Sequence, residues 1–159
     1  MTLRTLYFIA IILTAIALVP AGAHVFELFS KMKLDAAEYR TVQQIYRGWA
    51  LFGVVIFPAL ASTLALAIRL RRHPTAFIPA LAAFLCILGT QIIFWSLTFP
   101  TNRATENWTV LPANWTDLRV QWEYSHAASA CLNFAALAAL LISVLRYAPV
   151  DTRSSLTHA

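Results

Sequence analysis

Charge is in short supply in this chain of 159 residues: only 12% are Asp, Glu, Lys or Arg, about half the share of a soluble domain. With 60% hydrophobic residues beside it, that scarcity excludes an ordinary water-soluble domain and makes a lipid bilayer the first partner. Cysteine is scarcer still. Cys86 and Cys131 lie inside apolar runs without CxxC spacing, which excludes a disulfide framework and a CxxC metal or redox site and leaves them as packing residues. The formal net charge is +5, yet the basic residues sit at the ends of apolar runs instead of clustering on one water-facing surface, so nucleic acid is not an expected partner.

What is present is a set of four charge-free runs, Thr5 to Ala23, Gly48 to Ile68, Pro74 to Asn102 and Tyr124 to Leu145. A membrane-crossing helix needs about 20 apolar residues, and a charge near its centre is costly, so each run can span. The expected fold is all-α: an integral membrane four-helix bundle, up-down-up-down, forming a single transmembrane domain over residues 1–159 with spans near 5–25, 46–70, 77–99 and 123–146. The first run also has signal-peptide features, with Arg4 ahead of it and Ala21-Gly22-Ala23 behind. Retention is expected, because removal would take one wall from the polar cluster described below.

Asp35 and Glu38 have the spacing of a capping box, so a second helix is expected to start there and to run to about Arg72, with Pro58 as a kink and Pro74 beyond its end. The third helix is expected over Phe77 to Phe99, stopping at Pro100. Pro112 marks a loop, and Asn114 with Asp117 caps the helix that continues into the fourth span. Flanking bases divide six against six: Arg4, Arg69, Arg71, Arg72, Arg146 and Arg153 at the end holding both termini, and Lys31, Lys33, Arg40, Arg47, Arg103 and Arg119 at the other. Three of the first group crowd one short turn, while the second group is spread through loops with six of the seven acids. That concentration places both termini in the cytoplasm and the protein in the inner (plasma) membrane as a multi-pass protein.

The versatile polar residues gather at the end opposite the termini. His24 and Glu27 stand three apart at the end of the first span, and Glu123 and His126 three apart at the start of the fourth, so each pair shares a helical face. Gln43 and Arg47 stand four apart. Gln91, Trp95, Thr98 and Asn102 form a stripe, as do Trp115, Arg119, Trp122 and His126, and such faces turn inward in a bundle. Three readings stand for this cluster. Arg47 or Arg119 neutralises Glu27 and Glu123 in structural ion pairs. Alternatively His24, Glu27, Glu123 and His126 are metal ligands, as Glu-x-x-His motifs are in four-helix carboxylate proteins. In the third, His24 or His126 removes a proton from a lipophilic substrate while Arg47 or Arg119 stabilises the anion. Gln43, Asn102, Trp108, Trp115 and Trp122 would then contact the small molecule.

Trp108, Trp115 and Trp122 recur every seven residues and Asn-Trp-Thr occurs twice, at Asn107 and Asn114. Interfacial anchoring and a lid over the bundle mouth both fit this pattern, and the triplets also match the glycosylation acceptor motif.

The stretches VPAGAHVFEL, TVQQIYRGWALFG and TNRATENWTVLPANWTDLRVQWEYSHA resemble bacterial four-helix membrane proteins grouped with the anthrone oxygenase-like family, over most of the chain. Pro100 with Asn102, then Trp115, Leu118, Arg119 and Trp122, match the family pattern of an asparagine after helix three and W-x-x-L-R-x-x-W entering helix four. The resemblance implies the four-helix fold. From fungal members that convert an anthrone to an anthraquinone with oxygen, it also implies a cofactor-independent oxygenation of a reduced aromatic, with His24 or His126 as base. The expected role is therefore binding, and oxidising, a small lipophilic or aromatic molecule in a polar cavity; the non-enzymatic alternative is an accessory membrane subunit, and a homo-oligomer is compatible with either.

Overall fold

The computed structural model describes residues 1–147. Arg153, counted above toward the orientation, lies outside them. Six α-helices follow one another: α1 (Leu3–Lys31), α2 (Ala36–Gln43), α3 (Gly53–Leu70), α4 (Pro74–Ile93), α5 (Phe99–Ala104) and α6 (Trp115–Tyr147). Four helical stretches are long and apolar enough to cross a membrane: α1, α3, α4 together with α5, and α6. The chain is a multi-pass membrane protein. Each spanning helix packs against two others, in the ring α1, α3, α4, α6, so chain neighbours run antiparallel and the ring closes between α1 and α6.

Small residues make the ring tight. Ala10, Ala59, Ala67, Ala76, Ala80, Ala83 and Ala136 are buried around Leu6, Leu66, Leu70, Ile87 and Leu140 near the termini. In lipid there is no hydrophobic drive between helices, so close backbone approach and van der Waals contact hold them together. Phe8, Val19, Phe26, Val54, Ile78 and Leu145 face outward, as lipid-facing side chains must. Cys86 packs against the core, whereas Cys131 is exposed on the outer face, so only one of the two is an interior packing residue.

The capping box expected at Asp35 and Glu38 is present, with both reciprocal bonds made. The helix it starts does not continue to Arg72. It ends at Gln43 and gives way to two 3-10 turns, Gln44–Tyr46 and Trp49–Phe52, separated by Gly48 at φ +89°. That left-handed conformation is open to glycine and costs other residues about 1 to 2 kcal/mol, so Gly48 is the breaker between α2 and α3. Pro58 is carried inside α3, and Pro20 inside α1.

Pro100 likewise does not stop the third span. A π turn, Phe94–Thr98, widens the helix just before it, and Pro100 falls in the first turn of α5, where a missing N–H forfeits little. The extra residue in the π turn also rotates the expected stripe. Thr98 is buried and Gln91 and Asn102 are half-buried, but Trp95 faces outward at 55% exposure.

At 29 and 33 residues, α1 and α6 are about 43 and 50 Å long, well beyond a hydrocarbon core of about 30 Å. Counting 20 residues from Thr5 reaches His24. The C-terminal turns of α1 and the N-terminal turns of α6 thus stand side by side at the membrane boundary, where ionisable groups are tolerated.

Candidate functional site

Antiparallel packing of α1 on α6 lays the two His/Glu pairs against each other in layers. In the deeper layer His24 meets His126, with ring centroids 4.2 Å apart. The next layer outward is ionic. Lys31 Nζ lies 2.8 Å from Glu123 Oε1 and 3.9 Å from Glu27 Oε2. Lys31 and Glu123 are 3% and 0% exposed, so this pair is enclosed in protein.

Tyr39 and Gln43 of α2 and Tyr46 of the 3-10 turn after it complete the ionic layer. Tyr39 Oη donates to Glu123 Oε1 at 2.9 Å, and Gln43 Nε2 donates to the Tyr39 hydroxyl. Lys31 Nζ donates to Tyr46 Oη at 3.1 Å, and the Tyr46 hydroxyl donates to Glu27. Burial, then the charge of Glu123 and the hydrogen bond to it, push the Tyr39 hydroxyl well above the usual phenol range. Burial, then the hydrogen bond to Glu27, do the same for Tyr46. Both therefore stay protonated and act as donors to the carboxylates.

Trp122 is the hub of the site. Its ring lies 3.9 Å from His126 and 5.0 Å from His24, its face is 4.7 Å from the Lys31 ammonium, and Nε1 donates to Asn102 Oδ1 at 2.8 Å. Tyr46 and Trp49 also pack on His24, at 4.6 and 5.6 Å, and Tyr46 lies 5.6 Å from Trp122. The site is thus a packed aromatic and ionic core instead of the open polar cavity expected from the sequence. Two hollows lie elsewhere, one of about 460 Å³ along α2 and one of about 260 Å³ at the other end of the bundle.

The loop of residues 105–114 folds over the mouth. Glu106, Asn107 and Trp108 take φ values of +48°, +55° and +64°, three successive left-handed residues without glycine. Such strain persists only where surrounding bonds impose it. Here Asn107 N–H donates to the Asn102 carbonyl at 2.7 Å, Trp108 N–H to Thr105 Oγ1 at 3.1 Å, and Gln44 Nε2 to the Trp108 carbonyl at 3.0 Å. The result is a Trp108 ring 2% exposed, set edge-on to Tyr39 and 6.1 Å from Trp122. Trp108 is thus carried by the loop over the mouth, as in the lid reading, whereas Trp122 stands on α6 beneath it. Trp115 is half-buried beneath the Arg119 guanidinium, 4.7 Å away.

Arg47 does not reach either carboxylate. It is exposed and donates to Gln44 Oε1 at 2.7 Å, because the 3-10 turn Gln44–Tyr46 winds by about 120° per residue and four-residue spacing no longer means a shared face. Arg119 donates to the Leu34 carbonyl at 2.8 Å, pinning the end of α1 to α6. The cation that pairs with Glu27 and Glu123 is Lys31, which in the sequence stands only as a base flanking the first span. Its position four after Glu27 and seven after His24 was the available signal. Tyr39 and Tyr46, four before and three after Gln43, were missed in the same way.

The four residues considered as metal ligands separate into a histidine layer and a carboxylate layer closed around an ammonium. Among the described residues no three His, Cys, Asp or Glu side chains converge as a metal would require. What the site offers chemically is unfilled hydrogen-bonding capacity. His24 Nδ1, Gln43 Oε1, Trp108 Nε1, Arg119 Nε and Glu123 Oε2 are buried without a partner among the described residues, where most buried polar atoms have one. His126 Nδ1 lies 2.8 Å from the Trp122 carbonyl, which can only accept, so Nδ1 carries a proton, and in the neutral ring Nε2 then carries the lone pair. Set against family models, curated proteins and solved structures, the chain matches none.

Proposed function

We propose that this protein binds a small lipophilic aromatic molecule against the His24–His126 layer, displacing side chains that close the packed site, and takes a proton from it. The observation that supports this reading is a buried imidazole with an unpartnered Nδ1, His24, facing a second imidazole whose Nε2 lone pair is left free by the Trp122 carbonyl. Transfer of an acidic proton to His126 Nε2 leaves the electron pair on the ligand as an anion. Lys31 takes the stabilising role expected of Arg47, with Arg119 beyond it over the Trp115 ring. Gln43, Trp108 and Trp122 shape the aromatic enclosure, and Asn102 holds Trp122 in place. The resemblance to the anthrone oxygenase-like family extends the proposal to oxygenation of the resulting anion by molecular oxygen, without a cofactor.

A second reading is favoured by the enclosure of the Lys31–Glu123 pair. Bridging α1 and α6 at 0% exposure of the carboxylate, it would lock the bundle whether or not anything binds. The two readings part in a titration. Anthrone added to the purified protein in lipid nanodiscs should quench tryptophan fluorescence saturably, since Trp122 and Trp49 flank His24. A linear, unsaturated response equal to that of a membrane peptide lacking the site would leave only the lock.

Orientation belongs to the same proposal: inner (plasma) membrane, termini cytoplasmic, site at the non-cytoplasmic end. Reporter fusions after Arg72 and after His158 should both read as cytoplasmic, and one near Ala113 as the opposite side. Ala113 and His158 on one side would overturn the orientation and the four spans together.

A further inference from the structure

The opposite end of the bundle carries a different chemistry. Arg4, Arg69, Arg71, Arg72 and Arg146 are all exposed there, and among the described residues every acid, from Glu27 to Glu123, lies at the other end. No ion pair neutralises these arginines among the described residues, since both salt bridges belong to Lys31. Between the start of α4 and the end of α6 is a hollow of about 260 Å³ lined by His73, Thr75, Arg146 and Tyr147. Each of these side chains can donate a hydrogen bond. The Tyr147 ring stands edge-on to His73 at 5.4 Å and fixes one wall.

We infer that this hollow is a binding site for the phosphate of an anionic phospholipid. Free phosphate would meet the same donors, but the hollow continues into apolar surface that phosphate does not need. Ile78, three residues after Thr75, and Ile142, four before Arg146, share the faces of their helices with the lining residues. They are 63% and 42% exposed, and Leu145 beside them is 76% exposed. A headgroup seated against Arg146 and His73 would therefore lay its acyl chains along α4 and α6 in the lipid-facing direction. Basic pockets between membrane helices select anionic headgroups in this way. The site is separate from the histidine layer and does not depend on the function proposed there.

Native mass spectrometry of the purified full chain, titrated with short-chain phosphatidylglycerol or phosphatidylcholine, tests this. One anionic lipid should be retained about fivefold or more tightly than the zwitterionic one, the effect expected of one well-placed basic residue. Arg146→Gln should remove most of that preference. Arg69→Gln, which removes the same charge outside the hollow, should change it by less than about twofold. Equal retention of the two lipids would overturn the site, and this outcome needs no variant. Equal losses in Arg146→Gln and Arg69→Gln would overturn it in favour of a diffuse field. Displacement of the lipid by an equal concentration of inorganic phosphate would overturn the assignment to a lipid.

Discussion

Replacing Lys31 with methionine should destabilise the bundle by about 3 to 5 kcal/mol, the cost of leaving a buried charge without its partner. Methionine keeps the length of the lysine stem but withdraws the ammonium from Glu123, whose carboxylate is 0% exposed. Only Tyr39 and the more distant Gln43 amide, 3.5 Å away, would then face Glu123 Oε1. Tyr46 would also lose the donor it now receives, while its own donation to Glu27 survives. The companion change is the informative one. Lys31→Met with Glu123→Leu replaces both charges by apolar groups of similar size, and such exchanges are often neutral or stabilising. Unfolding in mixed micelles should therefore rank the double variant well above the single one. A single variant within about 1 kcal/mol of the parent would show that the pair is hydrated and not enclosed.

His24→Gln and His126→Gln should each weaken binding of the aromatic ligand by about 10- to 100-fold, the worth of one hydrogen bond to a charged group. Their stability cost is smaller, about 1 to 3 kcal/mol through lost hydrogen bonds and ring contacts. The two effects should also be unequal between the positions. His126 is held by the Trp122 carbonyl and leans on the Trp122 ring at 3.9 Å, so its loss disturbs packing as well as chemistry. His24 Nδ1 has no partner to lose, so its replacement should fall at the low end of that range while binding falls by the full amount. Arg47→Gln, at an exposed position bonded to Gln44, should alter neither. A fall in stability at His24 with binding unaltered would reverse its role from functional to structural.

The four spans were legible because lipid permits so little: long charge-free runs have few other uses, and the turn between Leu70 and Pro74 forces α3 and α4 to run antiparallel. The capping box at Asp35 and Glu38 was equally plain, being a local arrangement of neighbouring side chains and amides. The facing His/Glu pairs could be read from spacing alone, since both lie on regular helix and antiparallel packing reverses one against the other. Sequence spacing failed where the helix itself is irregular. Spacing from Gln43 puts Arg47 in the cluster, but the 3-10 turn between them winds it outward. Trp95 left its stripe because the π turn adds a residue to the repeat. Lys31 was overlooked for another reason. A lysine at the end of a membrane helix usually reaches for water, and nothing local reveals that Tyr46, Trp122 and Glu123 from distant parts of the chain enclose it. Likewise the burial of Trp108 depends on three strained residues whose conformation no propensity favours.

The central claim is that a free imidazole lone pair stands in a closed aromatic site, and nitrogen-15 NMR of the histidine-labelled protein in nanodiscs tests it most directly. His126 should carry its proton on Nδ1, bonded to the Trp122 carbonyl, and its Nε2 should show the chemical shift of an unprotonated ring nitrogen that moves when the aromatic ligand is added. A proton on Nε2, or a shift indifferent to the ligand, would contradict the account and leave the histidine pair as part of the packing between α1 and α6.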